Sequence, residues 1–146
     1  MNISSPAFND NGFIPARYSR LGGNVSPPLI FEDVPPGVKS LVLVCHDPDA
    51  PRAQGWTHWV VWNIAPNAPG FKEGSVPDDV VQGTTDGGEL AWSGPLPPSG
   101  THRYIFYLYA LDVVMELPVS TTRLELERAM QRHVVDNATL TGLFSA

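Results

Sequence analysis

The sequence predicts a mainly β fold, an antiparallel sheet with one main helix near the C-terminus, from three observations. The apolar runs Leu41–Cys45, Trp59–Ile64 and Ile105–Leu111 are rich in β-branched and aromatic residues, and their length suits strands better than helices. Fifteen prolines and thirteen glycines are spread over 146 residues, which leaves little room for long helices and many places for turns. Beyond these, a single segment, starting at Thr122, combines a helix start signal with helical spacing of apolar residues.

Taken in order, residues 1–40 alternate short apolar pieces (Phe13-Ile14 and Leu29-Ile30-Phe31) with breakers such as Gly22-Gly23, Pro27-Pro28 and Pro35-Pro36, the pattern of edge strands and meandering loops. The three apolar runs then form the expected sheet core. Between the second and third lies 65–101, rich in Pro, Gly and Asp, which reads as a functional loop carrying a short strand near Val80–Gly83. Thr122 to Glu125 fits a capping box, and Leu126, Ala129, Met130, His133 and Val134 follow at helical spacing, so the helix is expected to run to Asp136 or Asn137. Ala138 to Phe144 closes the chain as a last short strand. No repeat or linker divides 1–146, hence one domain. With fifteen prolines, at least one cis X-Pro bond is expected, Asp47-Pro48 or Ala50-Pro51 being the crowded places.

The net charge of −6 provides no basic stripe for nucleic acid or anionic lipid. Any anion site must therefore be local, built from aimed donors. Cys45 is the only cysteine and lies in an apolar run, which implies a buried thiol and no internal disulfide. No stretch is apolar enough to span a bilayer, and the N-terminus lacks the pattern of a secretion signal, so a cytoplasmic location without stable membrane insertion is expected.

Chemistry-bearing residues gather where the core strands meet loops. Asp47-Pro48-Asp49-Ala50-Pro51 follows the first run, Gly55-Trp56-Thr57-His58-Trp59 leads into the second, and Gly100-Thr101-His102-Arg103-Tyr104 leads into the third. In extended chain Trp56 and His58 share a face, as do His102 and Tyr104, so both pairs can line one pocket mouth.

These three segments, in this order, resemble the signature segments of the phosphatidylethanolamine-binding protein family, also called Raf kinase inhibitor proteins. Asn24-Val25-Ser26-Pro27-Pro28-Leu29, Val34-Pro35-Pro36-Gly37 and the terminal helix are similar to its short prokaryotic branch, and the likeness covers nearly the whole chain. The resemblance implies that family's antiparallel β-sheet fold and a non-enzymatic pocket for phosphate-like anions and phospholipid headgroups, lined by Asp47, Trp56, His58, Pro95, His102 and Tyr104, with no cofactor and no metal. It also implies a kinase or a protease as a protein partner, and a homodimer. Two imidazoles would donate to anion oxygens, Asp47 would accept from a protonated oxygen or an ammonium or orient a histidine, and Trp56 and Pro95 would form apolar walls. Asp49, Pro51 and Arg103 read as structural support, Arg103 pairing with Asp49 because it lies opposite His102 in strand phase.

Simpler readings apply elsewhere. His46 and His133 read as satisfied or solvated side chains, and Trp59 and Trp62 as core residues on opposite strand faces. Asp78, Asp79, Asp86 and Glu89 lack calcium-loop spacing and read as solvated surface. The rival function is a hydrolase that uses Asp47, His58 and His102 as metal ligands or as an acid–base set, although no motif nominates a nucleophile. Side chains at a pocket mouth are further expected to contribute little to stability.

Overall fold

The computed structural model describes residues 1–146. Its strands form two sheets. β1 (Asn2–Ser4), β3 (Leu29–Glu32) and β6 (Gly70–Phe71) make a three-stranded sheet in the order β1-β3-β6. The six-stranded sheet runs β2-β9-β8-β4-β5-β7, with β2 (Gly12–Phe13), β4 (Ser40–Asp47), β5 (Trp56–Ile64), β7 (Val81–Gln82), β8 (Thr101–Leu111) and β9 (Val134–Ser145). The three apolar runs are thus the adjacent strands β8, β4 and β5. Every residue of β4 is buried, which is why its run has no polar alternation.

Alternation still sorts the side chains. Leu41, Leu43 and Cys45 on β4, with Phe106, Leu108 and Ala110 on β8, face the small sheet and meet Ile3, Phe31 and Phe71 there. Val42, Val44, Val60 and Trp62 face the other way, under Leu126 and Met130 of the helix α1 (Arg123–Met130). The large sheet is therefore covered by strands on one face and by a helix on the other. Trp59 belongs to the first cluster and Trp62 to the second, as their odd spacing requires.

The core strands pair antiparallel as expected, with one parallel pair at the sheet edge, β2 with β9. Three expectations need correction. The helix ends at Met130, not near Asp136: Val134, Asp136 and Asn137 pair with Leu111, Ala110 and Tyr109, so the ladder takes the residues that helical spacing assigned to α1. β-branched Val134 and Val135 suit that ladder. His133 accordingly leaves the helix, its Nδ1 standing 2.8 Å from Asp112 Oδ1. Finally, every peptide bond is trans. At Asp47-Pro48-Asp49 the turn is closed by the side chain, Asp47 Oδ1 accepting the Asp49 N–H at 2.7 Å, so no isomer change is required. The capping box is present as read: the Glu125 carboxylate accepts the Thr122 N–H at 3.1 Å.

Candidate functional site

The cavity that holds the titratable residues opens at the end of the sheet where β4 finishes and β5 and β8 begin. Asp47 stands opposite Trp56 across β4 and β5, and His46 pairs with Ile105 on β8, which brings Tyr104 beside Asp47. The β4–β5 register slips here: Cys45 faces Trp59, but His46 faces Thr57, so His58 is left without a partner as a β-bulge. Strict alternation would send His58 and Trp59 to opposite faces. The bulge turns both toward the β8 residues of the inner core, His58 meeting the Tyr104 ring edge-on at 5.1 Å and Trp59 joining the cluster of Phe106 and Trp92.

The far wall comes from the long 65–101 connection, pinned by Trp92. Its indole stacks on Phe106 with ring centroids 5.9 Å apart and donates Nε1–H to the Tyr18 carbonyl at 3.0 Å. Ser93 N–H then donates to the His58 carbonyl at 3.0 Å, and the Pro95 carbonyl accepts from Arg20 N–H at 3.0 Å. Between them Gly94 donates to Asn24 Oδ1 at 2.7 Å. No larger residue fits at 94, since a Cβ there would stand 2.2 Å from the Tyr18 carbonyl oxygen.

Polar groups at the cavity are mostly committed. His102 Nδ1 lies 2.6 Å from Asp47 Oδ2, while Oδ1 holds the Asp49 N–H, so both Asp47 oxygens are engaged. His58 Nδ1 lies 2.6 Å from the Ser93 carbonyl, which can only accept, so Nδ1 carries the hydrogen and Nε2 is the free nitrogen. Burial pushes the His58 pKa below its ordinary value, which leaves the ring neutral at pH 7 with an acceptor at Nε2. The Tyr104 hydroxyl is fully buried and without a hydrogen-bond partner; the Leu96 backbone is near it but closes no bond. Burial first, and then the Asp47 charge, hold that phenol well above its usual range.

The cavity measures about 340 Å³, within the lower range of small-molecule sites. Asp47, Trp56, His58, Tyr104 and Pro51 line it; Pro95 and His102 do not. Leu96 and Pro98 line the cavity where Pro95 was expected, Pro95 itself being buried, and His102 acts through Asp47. Asp49 and Arg103 stand outside as a paired support: Arg103 donates Nε–H and NH2–H to the two Asp49 oxygens at 3.0 and 2.9 Å, and its backbone N–H adds a bond of 2.9 Å. Sequence reasoning missed Arg20, Arg52 and Ser93 in the lining. Arg52 directly follows the Asp-Pro-Asp-Ala-Pro segment and was open to inclusion; its guanidinium lies 4.7 Å above the Trp56 ring. Arg20 and Ser93 sit in no local pattern, and only folding joins them.

Three further readings are corrected. No three His, Cys, Asp or Glu side chains stand close enough to share a metal ion, so Asp47, His58 and His102 do not form the metal set of the rival hydrolase. Asp47, His58, His102 and Tyr104 are buried, at 2, 6, 6 and 0% exposure, and do not form an exposed pocket mouth. Asp86 and Glu89 are likewise more than solvated surface: Asp86 Oδ2 accepts the Thr57 N–H at 2.8 Å, and Glu89 Oε1 accepts from the Thr85 hydroxyl at 2.6 Å. A larger cavity of about 380 Å³ lies between Asn24, Trp59, Gln82 and Trp92, but no ionisable side chain lines it.

Comparison with known proteins agrees with this fold. The phosphatidylethanolamine-binding protein family model matches residues 4–145. A UPF0098 protein of Methanothermobacter thermautotrophicus is 49% identical over 99% of this chain and 98% of its own length. The UPF0098 protein YbhB of Escherichia coli is 41% identical over 85% of this chain and 84% of its own. Among solved structures, CT736 of Chlamydia trachomatis superposes with a TM-score of 0.94 at 42% identity, covering 99% of this chain and 97% of that one. Escherichia coli YbcL, described as a member of the mammalian PEBP family, also gives 0.94, at 26% identity over 99% and 98%.

Proposed function

The chain belongs to the phosphatidylethanolamine-binding protein family, and from that premise we propose that it is a non-enzymatic binding protein whose cavity between Asp47, Trp56, His58 and Tyr104 takes a small anionic group of the phosphate or lipid-headgroup kind. The observation that carries this reading is the buried Tyr104 hydroxyl, which has no partner and belongs to the lining of a cavity that also holds two guanidinium groups, Arg20 and Arg52. An unpaired buried donor is costly, and an anion oxygen is the partner that would satisfy it. The local charge supports the same ligand. In a chain of net charge −6, those two cations face a single carboxylate, Asp47, whose oxygens are already engaged.

Nothing around the cavity is arranged as an activated nucleophile. Ser93 Oγ accepts from Arg20 NH1 and has no basic partner, and the buried Cys45 thiol is pushed well up from its ordinary pKa by desolvation. The test is calorimetric titration of the wild-type protein with inorganic phosphate, repeated with His58→Ala and Tyr104→Phe. Binding that weakens in both variants is expected. Absence of binding to the wild type, or equal affinity in all three proteins, overturns the reading.

A further inference from the structure

Resting on the reading of the cavity as an anion site, we infer that Arg20 is its specificity-determining residue: positioned by Ser93, it reads a second negative charge and selects the dianion of a small phosphomonoester over a phosphodiester.

Arg20 is built into the wall. Its backbone N–H donates to the Pro95 carbonyl at 3.0 Å, and its NH1 donates to Ser93 Oγ at 2.8 Å. Ser93 is 3% exposed and also holds His58, its carbonyl accepting from Nδ1 at 2.6 Å and its N–H donating to the His58 carbonyl at 3.0 Å. A single buried serine therefore aims the guanidinium and the imidazole together. The remaining contact of Arg20 is long, 3.5 Å from NH2 to Glu89 Oε2, and Glu89 Oε1 is bound to Thr85. An arginine offers about five N–H donors in a planar fork, and these bonds engage only NH1 and NH2. The rest of the fork is unpaired beside the cavity.

The lining divides by chemistry. Arg20 donates and carries full charge, the Tyr104 hydroxyl is an unpaired donor, and His58 Nε2 is an acceptor while the ring is neutral. Arg52 carries charge as well, and both arginines are exposed, but the Arg52 guanidinium carbon lies 4.7 Å over the Trp56 ring with no side-chain hydrogen bond fixing its fork. A phosphomonoester above its second pKa of about 6 presents three terminal oxygens and two charges, enough to meet Arg20 and Tyr104 together. A diester offers two such oxygens and one charge.

The test titrates methyl phosphate and dimethyl phosphate into wild type, Arg20→Met, Arg20→Lys and Ser93→Ala at pH 8, where the monoester is a dianion. Wild type is expected to prefer methyl phosphate by about ten-fold or more, the scale of one charge-assisted hydrogen bond. Arg20→Met should lose most of that preference by weakening the monoester, and Arg20→Lys should recover only part of it, lacking the fork. Ser93→Ala keeps the carbonyl that holds His58, so the His58 imidazole titration followed by NMR should stay unchanged while the monoester weakens. Thermal midpoints close to wild type show that each variant folds. If wild type binds methyl phosphate and Arg20→Met keeps the same preference, this inference falls and the anion-site reading stands. If neither ester binds wild type, the anion-site reading falls, and the inference with it.

Discussion

His102 Nδ1 and Asp47 Oδ2 stand 2.6 Å apart with both side chains closed to solvent, so the residues that shape the cavity also hold the ends of β4 and β8 together. Removing one member of a buried hydrogen-bonded pair leaves the other unsatisfied, typically at about 1–3 kcal/mol. Asp47→Ala also releases the Asp49 N–H and should fall in this range, with His102→Ala somewhat lower because the Asp49 bond survives. Urea denaturation of the two variants measures this; a loss below about 1 kcal/mol for Asp47→Ala would mean the contact is not stabilising.

Tyr104→Phe should behave in the opposite way. The hydroxyl is buried and unpaired, and such groups cost about 1–3 kcal/mol, so its removal should leave stability unchanged or raise it by about 1 kcal/mol. Phosphate affinity should fall at the same time. The pair of measurements is a denaturation midpoint and a titration on the same sample. A clear loss of stability would show that the hydroxyl has a partner in solution.

Asp49 and Arg103 form an exposed pair, and their two deletions should not match. Arg103→Ala removes only an exposed ion pair, screened by solvent, and should cost little. Asp49→Ala also frees the Arg103 backbone N–H, which Asp49 Oδ2 accepts at 2.9 Å, and should cost more. The Arg103 guanidinium holds the Asp49 pKa down at about 2, so this contribution is complete above the ordinary aspartate pKa of 3.8 and is lost as pH falls toward 2. Denaturation at pH 7 and pH 3 tests both statements: equal losses for the two variants at pH 7 would remove the role of the backbone bond.

His46 and His58 both carry pKa values lowered by burial, His46 also by Arg123. Below the unfolded value of about 6.5 the unfolded chain takes up the protons that the folded rings refuse, so this part of the stability is complete above that pH and declines below it. Bound phosphate works the other way, favouring an imidazolium at His58, so binding should take up protons as pH falls. Denaturation of wild type and His58→Gln at pH 7.5 and 5.5 should show a smaller acid loss in the variant. Phosphate titration in two buffers of different ionisation heat reads the proton uptake directly.

Much of this was legible in the chain itself. β4, β5 and β8 follow from continuous apolar runs, since a strand buried on both faces needs no polar alternation. The Asp49–Arg103 pair follows from strand phase. The end of α1 was not legible, because Val134 and Asn137 fit a helix as well as a ladder until β8 is beside them.

What the sequence by itself determined is the set of strands, the family likeness and the residue types at the strand ends, all carried by local patterns. Tertiary structure alone decided which groups meet. The bulge at His58 turns a ring that alternation would send to the other face, because register is a property of two strands. Arg20 and Ser93 lie 73 residues apart and join only once Trp92 is seated in the core. The free nitrogen of His58 follows from a carbonyl on another segment, since a hydrogen bond between distant segments has no signature in either of them.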